Sequence, residues 1–324
     1  MYNNTDDNFE NIKKVSSRNK YLDSPDAIAR ICWYYYKQDM TQSAIAKKMN
    51  TNRLKIMKIL KKARDKGIVD IKIKGEYQNV LQIEQELVQK FELIDAMIIP
   101  TITNGELNTH LGIAASQYVS TILNNGDIVG IGWGDSISKT IRYLSLAHLD
   151  NFYLISFTGG ASSFLREGEF VGRYSEFIRI LPAPLLVSND NVAKVIYEES
   201  EVKAIMNMWN IANYALIGIG ALNQQATMLR EGYITEDEFA RLRQRGAVGD
   251  IMGQFFDEYG KRIPCSTDKR LIAYPIDNLK NIPNVIAVAG GEHKVKAIHS
   301  ALLGRYLKIL ITDEKTANMV LELK

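Results

Sequence analysis

The stretch MTQSAIAKKMNTNRLKIMKILKKARDKGIV, residues 40–69, carries nine Lys or Arg residues and one acidic residue. Its helix-boundary residues predict two helices joined by the tight turn MNTN. Thr41 can cap a short first helix, Asn52 can cap a longer second helix, and Gly67 can end it. Because a further helix begins upstream at Ser24, the order of elements is that of a helix-turn-helix motif.

The second helix of this motif has two faces of different character. At about 100° per residue, one side carries the residues expected to pack inward, which are Ile56, Ile59, Leu60 and Ala63. On the other side, Arg53 is expected to contact guanine because its planar fork matches O6 and N7, and Leu54 and Met57 to meet thymine methyl groups. Lys58, Lys61 and Lys62 are assigned to phosphates. The predicted DNA-binding residues are Thr41, Gln42, Asn52, Arg53, Leu54, Lys55, Met57, Lys58, Lys61 and Lys62.

The charge of the chain is divided unevenly. Residues 1–75 hold 17 Lys and Arg against 8 Asp and Glu, a balance of +9, whereas the remainder holds 23 against 29, a balance of −6. A basic head on an acidic body is expected where one end of a chain meets nucleic acid. The alternating stretch IVDIKIK predicts a strand, and hence a winged helix-turn-helix domain over residues 23–75. The alternative is an ordinary solvated basic helix.

Several protein classes are excluded by composition. Cys32 and Cys265 form no Cys-x-x-Cys pair and no histidine cluster accompanies them, so no metal, disulfide framework or cofactor is predicted. Residues 1–22 lack the apolar segment of a signal peptide and are expected to form a mobile tail. No apolar run reaches the roughly 18 residues of a membrane span. The expected location is therefore the cytoplasm.

A helix is predicted between the head and the body. In YQNVLQIEQELVQKFE, residues 77–92, one face carries Val80, Ile83, Leu87 and Phe91. Two interpretations stay open for this apolar face. It packs against a second subunit, as a linker helix over residues 76–93, or it packs within its own chain.

From about Ile94 onward, apolar strands alternate with helical segments. The predicted strands are IDAMIIP, DIVGIGW, FYLISFT, FIRILPAPLLV, YALIGIG, NVIAVAG and YLKILIT. Continuous apolar runs of this kind are typical of parallel strands covered on both faces. The sequence therefore predicts a doubly wound α/β domain over residues 94–324.

Glycine-rich loops follow three of these strands, where the ligand crevice of such sheets lies. The loop residues are Gly132, Gly134 and Ser136 in GIGWGDS, Thr158, Gly159 and Gly160 in SFTGG, and Gly290, Gly291 and Lys294 in AVAGGEHK. Backbone amides at a helix start, together with an ammonium group, are suited to a phosphate. The alternative for any single loop is that its glycines serve only a turn.

Other ligands and activities fit the sequence less well. In GIGALNQQ, Asn223 stands where the third glycine of a dinucleotide fingerprint belongs. No Walker motif and no Ser/His/Asp arrangement is present. The sequence thus predicts neither an ATPase nor a nucleophilic hydrolase.

These residues resemble the SorC-type sugar-binding transcriptional regulators of bacteria. The resemblance covers nearly the whole chain from about Asp26, through segments that include GIGWGDS, LPAPL, GAVGDIMGQFFD, AGGEHKVKAI and TDEKTANMVL. Within the family, GAVGDIMGQFFD and RLKIMKIL are similar to regulators that sense phosphorylated autoinducer-2 and to regulators of sugar or polyol operons. Family members are typically tetramers that respond to a phosphorylated sugar. The resemblance implies a double-stranded DNA operator, a phosphorylated sugar or polyol effector and a dimer of dimers.

The resemblance also implies residue roles. Lys294, with Gly290 and Gly291, would meet the phosphate, and Asp250 would accept hydrogen bonds from sugar hydroxyls. The remaining effector-binding residues would be Gly132, Gly134, Asp135, Ser136, Thr158, Gly159 and Gly160, and Arg173 would reach the ligand from the next segment. The family body is similar in fold to sugar-phosphate isomerases and deaminases, so an enzyme with a DNA-binding appendage is the alternative. Turnover needs a placed base, and because no acid–base pair accompanies Asp250, a sensor that is not an enzyme is favoured.

Overall fold

The computed structural model describes residues 21–69, 77–102, 105–160, 174–224 and 226–324. The chain divides between Gly75 and Glu76 into two compact units, here called the head and the body. Three expectations lie outside the described residues: the tail over residues 1–20, the wing strand beyond Val69, and the role of Arg173.

The head contains the three helices that the sequence predicts. They are α1 (Pro25–Tyr36), α2 (Gln42–Lys48) and α3 (Arg53–Asp65). Each begins at the expected cap: Ser24, Thr41 and Asn52 accept backbone N–H groups through their side-chain oxygens. The third helix ends before Gly67, whose φ of 68° favours glycine.

One apolar cluster holds the three helices of the head together. The inward-facing residues of α3 are at most 3% exposed, which confirms their predicted orientation. Ile31 of α1 and Ile45 of α2 complete the centre of this cluster. Leu22, which the sequence analysis placed in the tail, is 4% exposed and packs here as well, so the folded head begins before residue 23.

Helix α4 (Tyr77–Phe91) belongs to the body. Ile83 and Leu87 are buried in the same apolar cluster as residues of the body's sheet, and Lys90 donates hydrogen bonds to the carbonyl oxygens of Leu321 and Leu323. The apolar face of α4 therefore packs within its own chain, which was one of the two open interpretations. It is not a separate linker element.

The seven predicted strands form one parallel sheet. They are β1 (Asp95–Ile99), β2 (Ile128–Ile131), β3 (Tyr153–Ser156), β4 (Ile178–Arg179), β5 (Tyr214–Ile217), β9 (Asn284–Val288) and β10 (Ile309–Asp313). Their order in the sheet is β1-β10-β9-β5-β2-β3-β4. Strand β4 is shorter than predicted. Pro182 and Pro184 follow it, and proline has no N–H to donate to a ladder.

The sheet is covered on both faces, as the doubly wound prediction requires. Along β5, Ala215 and Ile217 point into one apolar cluster and Leu216 into another. The further body helices are α5 (Leu107–Ile122), α6 (Asp135–Tyr143), α7 (Asp190–Glu198), α8 (Ser200–Trp209), α9 (Thr227–Arg230), α10 (Glu236–Gln244), α11 (Val295–Leu303) and α12 (Glu314–Glu322). The first cluster includes residues of α4, α8, α11 and α12, and the second includes residues of α5 and α6.

A small antiparallel sheet, β6-β7-β8, was not predicted from the sequence. Its strands are β6 (Gly220–Ala221), β7 (Ala247–Ile251) and β8 (Gln254–Asp257). Met252 and Gly253 turn β7 into β8, with φ angles of 52° and 75°. Two residues with positive φ form the tight hairpin turn that matches strand twist. This sheet carries Asp250 toward the end of β5 through its pairing with Gly220.

Candidate functional site

A cavity of about 470 Å³ lies at the carboxyl ends of β2 and β5. From β2 the strand order runs outward through β3 and β4, whereas β5, β9 and β10 lie on its other side. The order of the sheet therefore reverses between β2 and β5, and ligands of open α/β sheets bind at such a switch point. Of the predicted effector residues, the cavity is lined by Gly134, Asp135, Ser136, Asp250 and Lys294.

The first turn of α6 forms one wall of the cavity. Gly134 precedes it with a φ of 128°, and the first-turn amides of a helix have no intrahelical acceptor. Asn108 of α5, which was not predicted from the sequence, forms hydrogen bonds with two residues of this wall. Its Nδ2 donates to Asp135 Oδ2 at 2.7 Å, and Ser136 Oγ donates to Asn108 Oδ1 at 3.3 Å. No sequence pattern marks Asn108, because its role depends on the packing of α5 against α6.

Asp250 is a buried carboxylate in the cavity wall. It is 7% exposed and its Oδ2 accepts the Gly253 N–H at 3.1 Å. Burial raises the pKa of Asp250 to about 6, although the Gly253 N–H and the Lys294 charge act in the opposite direction. Glycine is the residue that leaves room for this carboxylate, because a Cβ at Gly220, its partner in the small sheet, would lie 2.1 Å from Asp250 Oδ1 and displace it.

Lys294 brings a positive charge to the same cavity. Its side chain is partly buried, and burial lowers its pKa, whereas the carboxylates of Asp250 and Asp135 raise it. Within the described parts of the chain, no acidic group lies within 4 Å of its Nζ and no hydrogen bond from it is present. A desolvated ammonium without a paired anion is unfavourable, so this arrangement favours an anionic occupant.

The glycine pair before Lys294 is placed differently from the expectation. The Gly291 N–H already donates to Asp313 Oδ1 at 3.0 Å and to Thr316 Oγ1 at 2.7 Å. Gly290 is close-packed, since an added Cβ would lie 2.5 Å from Asp313 Oδ1. Neither glycine lines the cavity. The Gly291 amide is therefore not available for the phosphate contact that the sequence analysis assigned to it.

Four further predicted residues lie outside the cavity lining. Gly132 donates its N–H to the Leu216 carbonyl oxygen at 2.8 Å, which serves the link between β2 and β5. The Gly159 and Gly160 amides donate to the Ile272 and Ala183 carbonyl oxygens, both at 2.8 Å. Thr158 is fully buried, and its Oγ1 has no hydrogen-bond partner among the described residues. These glycines thus serve close packing, the alternative that the sequence left open.

The predicted DNA-binding face of the head is exposed at its centre. Leu54 and Met57 are 58% and 46% exposed, although both are large and apolar. Lys58 and Lys61 lie beside them, exposed, with no ion-pair partner in the described residues. An open surface groove next to Arg53 is lined by residues that include Thr41 and Gln42.

The flanks of this face are held by contacts within the head. Arg53 Nε donates to Gln42 Oε1 at 3.4 Å. On the other flank, Asp23 lies 2.9 Å from Lys55 Nζ and 3.7 Å from Lys62 Nζ. The hydrogen bond and charge of Lys55, together with Lys62, lower the pKa of Asp23. Lys55 and Lys62 therefore already have a partner, unlike Lys58 and Lys61.

Comparison with known proteins identifies the family. The family described as "Putative sugar-binding domain" matches residues 75–322. The transcriptional regulator LsrR of Klebsiella pneumoniae is 35% identical over 320 residues, covering 96% of this chain and 98% of that protein. LsrR of Escherichia coli strain K12 is 34% identical over 301 residues, covering 91% and 94%.

The chain belongs to the SorC-type family of sugar-binding transcriptional regulators. The crystal structure of the full-length sorbitol operon regulator SorC from Klebsiella pneumoniae matches it with a TM-score of 0.68 and 27% identity, covering 93% of this chain and 99% of that one. As a SorC-type regulator, the protein is not an enzyme; its relatives are transcriptional regulators. In the described parts of the chain, no cluster of three potential metal ligands occurs and no helix has both the length and the apolarity to cross a membrane.

Proposed function

We propose that this SorC-type regulator is a repressor of a carbohydrate-utilisation operon, controlled by a phosphorylated sugar, polyol or phospho-autoinducer-2-like effector. One related structure is that of a sorbitol operon regulator, and related sequences include those of LsrR regulators. The effector would bind the cavity of the body, and the winged helix-turn-helix of the head would bind double-stranded operator DNA. The active form would be a dimer of dimers, as the family resemblance implies.

The observation that carries this proposal is that Lys294 and Asp250 line the same cavity. A phosphorylated sugar needs a cation and amide donors for its phosphate, and acceptors for its hydroxyl groups. Lys294 supplies the cation, and the first turn of α6 supplies amides. Asp250 supplies carboxylate oxygens, of which only Oδ2 is already hydrogen-bonded within the described chain.

The exposed face of α3 in the head is suited to the major groove of DNA. The N-terminal residues of the second helix of such motifs reach base edges. Arg53 begins α3, and Leu54 and Met57 present exposed apolar groups for thymine methyls. Lys58 and Lys61 would neutralise phosphates, which makes operator affinity dependent on salt.

Operator affinity measured with and without effector tests the proposal. A thermal-shift panel of phosphorylated sugars first selects the effector, because a ligand that binds only the folded state raises its stability. Lys294→Met keeps the aliphatic stem and removes the charge. We expect the free variant to bind the operator as the wild type does, and its response to effector to be largely lost, since charge-assisted hydrogen bonds contribute about 1.5–3 kcal/mol each.

Lys296→Met is the matched control, because Lys296 is exposed in the first turn of α11, directly after Lys294, and does not line the cavity. This variant should respond as the wild type does. If Lys294→Met responded at the wild-type effector concentration, the phosphate would lie elsewhere in the cavity.

A further inference from the structure

We propose that Asp313 and Thr316 are positioning residues for the effector response, because they fix the turn that presents Lys294 to the cavity. Neither residue lines the cavity. The inference rests on the proposed function, since it assigns to Lys294 the contact with a phosphate. It goes beyond that function by placing a determinant of affinity where β10 meets α12, outside the binding site.

The two residues form a buried hydrogen-bond network with Gly291. Asp313 Oδ2 accepts the Thr316 N–H at 3.1 Å, and Asp313 Oδ1 accepts the Thr316 hydroxyl at 2.6 Å. The Gly291 N–H points between them and donates to Asp313 Oδ1 at 3.0 Å and to Thr316 Oγ1 at 2.7 Å. Asp313 is 3% exposed and Thr316 is fully buried.

The network reaches Lys294 through a single turn of chain. The Gly291 carbonyl oxygen accepts the Lys294 N–H at 2.8 Å, which closes the 3-10 turn Glu292–Lys294. Gly291 itself has a φ of 100°, a conformation that side chains disfavour and that its two hydrogen-bond partners hold in place. Lys315 of α12 adds an ion pair with Glu292 at 2.5 Å. Helix α12 thus contacts two consecutive residues of this segment, Gly291 and Glu292.

A helix cap alone does not explain this arrangement. Asn189 and Thr235 cap α7 and α10 from exposed positions, and each side chain accepts a backbone N–H of its own helix. Asp313 caps α12 from a buried position, where an ionised carboxylate is unfavourable unless it accepts several hydrogen bonds. Two of its donors come from Thr316 and the third from Gly291. The burial of Asp313 therefore ties its cap to the turn before Lys294.

The test compares Thr316→Val with Thr316→Ser. Valine has nearly the shape of threonine but no hydroxyl, so the variant loses the acceptor for Gly291 and the donor to Asp313, whereas serine keeps both. Binding of sorbitol 6-phosphate and of inorganic phosphate to the full chain is measured by calorimetry, with sorbitol as the unphosphorylated reference. We expect Thr316→Val to raise the Kd for the phosphorylated probes about tenfold, Thr316→Ser to stay within about twofold, and operator affinity of the free protein to be unchanged in both.

A double-mutant cycle separates positioning from general stability. If Thr316 acts through Lys294, Thr316→Val has no further effect on Kd when Lys294→Met is already present. An equal rise in Kd in both backgrounds would overturn the inference, as would a wild-type Kd in Thr316→Val. Thr235→Val, which removes an exposed cap on α10, is the control and should leave Kd unchanged. A wild-type protein that bound no phosphorylated probe in the whole panel would instead contradict the proposed function.

Discussion

At the scale of single residues, Asp250 is a carboxylate whose environment differs strongly from water. It is 7% exposed, its ordinary pKa of 3.8 is raised to about 6 by burial, and its charge has no ion-pair partner within 4 Å in the described chain. Such a residue is retained at a stability cost, which is common where a side chain serves binding. Its raised pKa makes the free energy of unfolding depend on pH in a specific direction.

The first prediction concerns how the free energy of unfolding changes with pH because of Asp250. Between pH 3.8 and about 6 the unfolded chain releases the Asp250 proton while the folded chain keeps it, so the contribution of this group to stability falls as pH rises. Above pH 6 the penalty is complete, about 3 kcal/mol at 1.36 kcal/mol per pKa unit. Asp250→Asn should therefore stabilise the free protein at pH 7 and leave its stability at pH 3.5 nearly unchanged, as measured by urea unfolding.

Asp150→Asn, at an exposed position, is the control and should change the free energy of unfolding at neither pH. The same Asp250→Asn variant should bind the effector more weakly, because a carboxylate oxygen that accepts from sugar hydroxyls is lost. A variant without gain in stability at pH 7 would show that the Asp250 carboxylate is better solvated than its burial indicates.

At the scale of elements, helix α3 shows how the head distributes its positive charge. Its central face leaves Lys58 and Lys61 unpaired, whereas Asp23 contacts both Lys55 and Lys62 from the segment before α1. Because counterion release scales with the number of phosphates neutralised, an internal carboxylate that occupies two lysines reduces the sequence-independent part of the affinity. Asp23 would then favour discrimination between DNA sequences over total affinity.

The second prediction concerns Asp23→Asn. Freed from their carboxylate, Lys55 and Lys62 should engage phosphates, so affinity for non-specific DNA should rise and the slope of log K against log salt should steepen by up to about 1.8, or 0.9 per added phosphate. Thermal stability should barely change, since exposed ion pairs contribute about 0–1 kcal/mol. Fluorescence anisotropy over a salt series measures both slope and affinity.

Asp26→Asn is the matched control, because Asp26 forms its ion pair, at 3.0 Å, with Arg30 of α1 and not with a lysine of α3. Its salt slope should equal that of the wild type. Equal slopes in Asp23→Asn and the wild type would mean that Lys55 and Lys62 do not face the DNA.

The elements that could be predicted from sequence are those whose signals are local. The caps at Ser24, Thr41 and Asn52 and the seven apolar strands depend on neighbouring residues, and the structure contains all of them. The β7–β8 hairpin was missed because its turn, Met252–Gly253, lacks the usual Asn-Gly signal. The satisfied amide of Gly291 was missed because its partners lie 22 and 25 residues away.

At the scale of the whole molecule, the head and the body have separate apolar clusters. Their net charges also differ in sign, +9 in residues 1–75 and −6 in the remainder. Separate cores allow a change in one unit to leave the folded state of the other intact. The two binding activities should then be separable by substitution in one core.

The third prediction applies this to Ile59→Ala, a truncation of a side chain that is 1% exposed in the head. Such truncations cost about 2–5 kcal/mol, so operator binding should be lost at 37 °C while the Kd for effector stays within about twofold. Leu54→Ala, in the same helix but 58% exposed, should keep the head folded and change only operator affinity. Loss of effector binding in Ile59→Ala would show that the two units unfold together.

The contact between Gly220 and Asp250 has a consequence for the history of the family. Since a Cβ at position 220 would collide with the carboxylate, the two positions are not free to vary independently. Lineages that keep an aspartate at 250 should keep glycine at 220, and lineages that gain a side chain at 220 should have exchanged the aspartate for a smaller residue and changed their effector. The pair of positions would thus record, in the sequence of each descendant, when the preference for an effector was altered.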